Sequence, residues 1–165
     1  MNQYETFREI VSECDRNLSA VRWDPERIRK ELARRTIREI IQSKEIPLGA
    51  CVEKEMVIGY FATVQGIKVD LAFMQISKPF YGVKLRAGIE PILDGKDYVF
   101  HPSSRGHDFK RGKMPYKKAH LLLSPRITRA AIERNDGKSL LDYMGLDVED
   151  NLFQNWINKV IQINS

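Results

Sequence analysis

Residues 56–76 read MVIGYFATVQGIKVDLAFMQI, two runs rich in aliphatic, β-branched and aromatic side chains parted by Gln65-Gly66. Runs of this composition around a glycine-bearing pair are the pattern of two strands joined by a tight hairpin. The stretch therefore predicts strands over Met56–Val64 and Ile67–Ile76. Beyond it, Gly82–Ile89, Ile92-Leu93 and Tyr98–His101 read as further short strands, with Asp94-Gly95 marking a two-residue turn. Residues 50–101 thus give a mostly antiparallel sheet of three to five strands.

Helical spacing governs both flanks of this region. On the N-terminal side, Tyr4, Phe7, Ile10, Val11 and Cys14 recur on one face of a helix over Asn2–Asn17. Asp24-Pro25-Glu26 supplies a cap, a residue suited to the first helical position and a favourable charge, predicting a second helix that runs to Ser43. Ile28, Leu32, Ala33, Ile37, Ile40 and Ile41 form its core face, and Arg27, Lys30, Arg34 and Arg38 its basic one. Glu31 and Glu39 each lie four residues from Arg35, the spacing of an ion pair along a helix. On the C-terminal side, Ser124-Pro125 opens a helix to Arg134, Asn135-Asp136-Gly137 stops it, and a short helix covers Ser139–Met144. Asp147, Glu149 and Asp150 open the last, which carries Val148, Leu152, Trp156, Val160 and Ile161.

Helices, sheet, helices is the order of an α+β fold rather than a doubly wound parallel one. The expectation is a small, mostly antiparallel sheet flanked by two N-terminal and two or three C-terminal helices. The 165 residues, 42% of them hydrophobic and 30% charged, suit one domain: helical over 1–45, sheet over 50–101, a basic loop over 102–120 and helical over 124–163.

The start of the chain, MNQYETFREIVSECD, is acidic and amphipathic where a signal peptide needs a basic start and an apolar core. No apolar run, Ala119–Leu123 included, approaches the roughly 20 residues that span a bilayer. Two cysteines, Cys14 in a helix and Cys51 at a strand start, form neither a disulfide framework nor a metal-binding pair. A soluble cytoplasmic protein is expected, with no membrane partner.

Charge is the most informative functional feature. Residues 105–118, RGHDFKRGKMPYKK, hold Arg105, Lys110, Arg111, Lys113, Lys117 and Lys118 against Asp108 alone, a net +5 that equals the formal charge of the whole chain. Everything else sums to zero, so the chain reads as a neutral scaffold bearing one basic loop. Gly106 and Gly112 permit close backbone approach, and Phe109 and Tyr116 place flat rings between cations. Phosphate neutralisation combined with base stacking is how polynucleotides are held. Nucleic-acid binding is the leading expectation, with Arg34 and Arg38 extending the footprint. No helix-turn-helix, zinc-finger or ribonucleoprotein signature is legible.

A second expectation concerns catalysis. Asp70 interrupts the apolar strand Lys68–Phe73, and a carboxylate there suits a Mg²⁺-dependent phosphodiester-cleaving enzyme, with Asp70 as metal ligand and Glu39 from an upstream helix. Nucleases that pair such an Asp with a Glu/Asp/Gln-x-Lys on the next strand are matched only in part, by Gln75-Ile76-Ser77 or by Asp94-Gly95-Lys96. Among the three histidines, His107 is the candidate acid or base, next to the polar turn 102–106. No cofactor is expected apart from Mg²⁺ in that case. A third reading is an interaction or inhibitor protein whose basic loop docks on an acidic protein partner.

Overall fold

The computed structural model describes residues 1–78, 82–101, 108–112, 137–144 and 147–165. Its first helix, α1 (Gln3–Asn17), opens on a reciprocal cap: the Asn2 side chain accepts from the Glu5 amide at 2.8 Å, and the Glu5 carboxylate accepts from the Asn2 amide at 3.3 Å. Strand β1 (Ser19–Val21) follows and pairs in parallel with β2 (Glu45–Pro47), a small ladder too short to have announced itself in the sequence.

Between these strands the expected single helix is two. α2 (Pro25–Glu31) starts as predicted, with Asp24 accepting from the Arg27 amide at 2.9 Å. It stops at Leu32, Ala33 turns left-handed at φ 61°, and α3 (Ile37–Ser43) begins on a new cap, Thr36 Oγ1 accepting from the Glu39 amide at 3.2 Å. The break is stabilised from outside the segment. Leu32 and Ala33 are fully buried, and the freed Ala33 carbonyl accepts from the Leu141 amide at 3.0 Å, beside a bridge between Thr36 and Ser139. Tertiary packing here overrides helix propensity.

Met56–Val64 is also not a strand. It belongs to α4 (Cys51–Val64), so Cys51 starts a helix, and the sheet begins only at residue 68. Nine of the fourteen α4 residues are buried, which removes the polar face by which a helix is usually recognised. Gln65-Gly66 ends that helix and makes no hairpin. Gly66, at φ 78°, donates to the Thr63 carbonyl and Ile67 to that of Ala62, the paired bonds of a left-handed C-terminal cap.

The sheet is antiparallel with order β3 (Lys68–Lys78), β4 (Gly82–Leu93), β5 (Lys96–His101), β6 (Asp108–Arg111). Asp94-Gly95 forms the expected β4–β5 turn, both residues with positive φ. Its carboxylate also accepts from the Gln3 and Tyr4 amides at 3.1 and 3.3 Å, tying the hairpin to the start of α1. Val69, Leu93 and Phe100 face a core shared with Phe7 of α1 and Met56 and Ile58 of α4. After α5 (Leu140–Met144) the chain ends in α6 (Asn151–Ile163), whose Phe153, Trp156, Ile157 and Val160 join that core. Helices thus flank a small antiparallel sheet, the α+β class expected. The predicted helix Ser124–Arg134 lies outside the described residues.

Candidate nucleic-acid interface

Part of the expected basic loop is strand. β6 pairs with β5 in the register Tyr98↔Arg111, Val99↔Lys110, Phe100↔Phe109 and His101↔Asp108. Alternation along β6 then separates its residues. Phe109 turns inward, its ring 5.1 Å from Tyr98, 5.2 Å from Tyr4 and 5.7 Å from Phe7, centroid to centroid. It is a packing residue, which corrects the expectation that it stacks on bases. Lys110, on the other face, and Arg111, whose guanidinium lies 5.5 Å over the Tyr98 ring, are exposed. Gly112 closes the strand at φ 111°, donating to the Asp97 carbonyl at 2.9 Å. Arg105, His107, Lys113, Tyr116, Lys117 and Lys118 lie outside the described residues.

The predicted basic face of the second helix is redistributed by its break. Arg34 sits in the linker and Arg38 in the first turn of α3, both exposed. Arg27 is drawn into ion pairs with Glu31 (2.8 Å) and Glu45 (3.2 Å) and lies 3.8 Å over the Trp23 ring. Arg35 pairs with neither Glu31 nor Glu39. It turns inward to Glu53 of α4 at 3.1 Å, with further bonds to Ser43 and the Glu45 carbonyl, and both partners are buried. Burial pushes the Glu53 carboxyl up to about 7 even against the attraction of Arg35. α3 packs mainly on α4 and β2, and α2 on α6, so nothing in this packing gathers Arg34 and Arg38 beside β6.

The catalytic candidates separate as well. Asp70 lies on β3, half-buried, on the sheet face opposite Val69 and the core. Glu39 is exposed on α3, whose main packing partners are α4 and β2, while Asp70 is on β3. Asp94 is committed to the α1 start. The carboxylate that does meet Asp70 is Glu90, directly across the β3–β4 ladder and only 8% exposed. The ladder that sets Ile89 across from Phe100 and Ile92 across from Asp97 places Glu90 opposite Val99, itself opposite Lys110. A row Asp70–Glu90–Val99–Lys110 therefore crosses one sheet face. Sequence reading missed Glu90 because pairing residues twenty apart requires the position of the β3–β4 turn.

Among the described residues no three His, Cys, Asp or Glu side chains stand close enough together to hold a metal ion. Both cysteines are free, and burial pushes the Cys14 thiol up to about 12 and raises that of Cys51. Among the same residues no helix is long and apolar enough to cross a membrane. No protein-family model matches the chain, and no curated protein or solved structure matches it.

Proposed function

We propose that the protein binds nucleic acid through phosphate contacts centred on segment 105–118. The observation that carries this reading is the division of labour on β6: Phe109 anchors the strand in an aromatic cluster while Lys110 and Arg111 stand exposed beside it. Cations on an anchored strand lose less entropy on meeting phosphate than cations on a free loop. Arg105, Lys113, Lys117 and Lys118 extend the contact in sequence, and Tyr116 takes over the stacking role that Phe109 cannot fill. Arg34 and Arg38 provide a separate basic site and act only on a polynucleotide long enough to reach both. Two free cysteines whose thiols stay protonated suit the reducing cytoplasm.

The test is fluorescence anisotropy with labelled duplex and single-stranded oligonucleotides across a salt series. Binding should weaken steeply with salt, and Lys110→Ala with Arg111→Ala should reduce the log–log slope by about 1.4–1.8, the share of two phosphate contacts. An unchanged affinity for both strand types would sink the proposal. If the protein instead co-purifies with an acidic protein and no nucleic acid, the docking reading takes its place.

The Asp70–Glu90 pairing favours a second reading, Mg²⁺-dependent phosphodiester cleavage, in which two carboxylates on neighbouring strands hold the ion and Lys110 lies in the same row. A bound Mg²⁺ supplies charge neutralisation and an activated water. Asp70→Asn should then abolish metal-dependent cleavage of plasmid or RNA while oligonucleotide binding persists. Cleavage surviving that change rules out Asp70 as the centre.

A further inference from the structure

Tyr4, Arg8 and Ser12, at four-residue steps along one edge of α1, form a wall of a pocket of about 290 Å³ between that helix and the sheet. Phe109 of β6 lines it from the sheet side, and the buried Phe7, Val11 and Phe100 make its floor. The register explains this lining: Phe100 and Phe109 are cross-strand neighbours, and α1 lays Phe7 against both, 5.7 Å from each ring.

The chemistry of the pocket narrows its occupant. Arg8 is the one charged residue among the described residues that line it, so it disfavours a cation and accepts a neutral or anionic group. Its volume, at the lower limit of about 300 Å³ for small-molecule sites, admits one ring system and no long chain. Phe109 is already stacked on Tyr98 and Phe7, so the plane left to cover a flat ligand is the Arg8 guanidinium. Arg8 is exposed, enters no ion pair among the described residues, and lies 5.9 Å over the Tyr4 ring. A guanidinium plane is one of the surfaces on which unstacked bases are received.

The adjoining strand supplies an anion site. Two residues along β6 from Phe109, about 7 Å at the strand rise, Arg111 stands exposed over the Tyr98 ring, on the same sheet face as the pocket. Tyr4 and Tyr98 are 5.5 Å apart, so Arg8 and Arg111 stand at the two ends of one aromatic pair. A nucleotide offers what this arrangement accepts, a flat uncharged base joined to an anion. We infer that the pocket receives one unstacked base of a single-stranded polynucleotide, covered by Arg8, with the adjoining phosphate on Arg111. The inference rests on the nucleic-acid reading above and narrows it to single strands, because a base held in a duplex reaches such a pocket only by being flipped out.

Anisotropy titrations of the full chain with a labelled deoxythymidine dodecamer, the same strand lacking its bases, and a duplex test this. The deoxythymidine strand should bind about tenfold more tightly than the abasic one, within the range that a single stacked base contributes, and more tightly than the duplex. Ser12→Trp fills the pocket from an exposed helix position, and Arg8→Lys keeps the charge while removing the plane. Each should weaken the deoxythymidine strand about tenfold and leave the abasic strand, the duplex and the circular dichroism unchanged. If that strand is indifferent to either variant, or binds no better than the abasic one, while Lys110→Ala with Arg111→Ala still weakens it, phosphate binding stands and the pocket assignment falls. Thymidine monophosphate binding as tightly as the dodecamer would make the free nucleotide the ligand and also overturn it. Absence of binding to every strand would overturn both readings together.

Discussion

Glu53 shows how far a single residue departs from its sequence context. It stands in the charged run Glu53-Lys54-Glu55 at the start of α4, yet its partner, Arg35, is eighteen residues upstream, where the nearer Glu31 and Glu39 suggested local pairs. Removing one member of a buried pair strands the other, typically at 3–5 kcal/mol. Glu53→Gln keeps the shape and part of the hydrogen bonding, so a loss of about 3 kcal/mol is expected by urea denaturation. The pH dependence has a definite sign. The folded carboxyl titrates near 7, above its ordinary value of 4.5, so the folded state binds the proton more tightly. Its contribution is full below about 4.5 and is lost as pH rises through 7. Wild-type stability should fall across that window by more than the Glu53→Gln variant does; equal slopes would show that Glu53 does not titrate there. Phe109 makes the same point for the interface. Residue type placed it among cations, and only the pairing of β6 with β5 turned it inward.

At the level of elements, legibility followed how locally each signal was stabilised. The Asp24 cap and the Asp94-Gly95 turn rest on contacts within a few residues, and both were readable; the last helix was readable except at its start, which falls at Asn151 rather than at Asp147 and leaves Val148 outside it. α4 was misread because burial on nearly every side erased the periodicity that separates a helix from a strand, leaving composition alone to decide. The α2–α3 break was missed for the opposite reason, since apolar spacing continues across it while Leu141 stabilises the interruption from over a hundred residues away. Thr36 was its one local signal. In an unbroken helix Thr36→Ala would stabilise by a few tenths of a kcal/mol. As the cap of α3 it should instead cost about 1 kcal/mol in chemical denaturation, so the sign of the change distinguishes the two arrangements.

Across the whole molecule, the contact least accessible to sequence reasoning is the one that ties the end of the chain to its beginning. Asn164, buried just past α6, accepts from the Trp23 amide at 3.0 Å and donates to the Leu48 carbonyl at 2.9 Å and the Val160 carbonyl at 2.7 Å. Nothing in its neighbourhood distinguishes it from Asn155 or Asn158, both exposed on α6. Two of these bonds fasten the end of α6 to the loop before α2 and to the segment after β2, in the region where Arg27 and Arg35 pack against Trp23, and the third stays within α6. Asn164→Ala leaves the Trp23 amide and the Leu48 carbonyl without their partner in a buried place, a cost of about 2–3 kcal/mol. Because Phe153, Ile157 and Val160 of α6 belong to the common core, the loss should lower the midpoint of one cooperative transition followed by both circular dichroism and Trp fluorescence. Two separated transitions, with α6 melting first, would mean that the helix docks onto a core already stable without it.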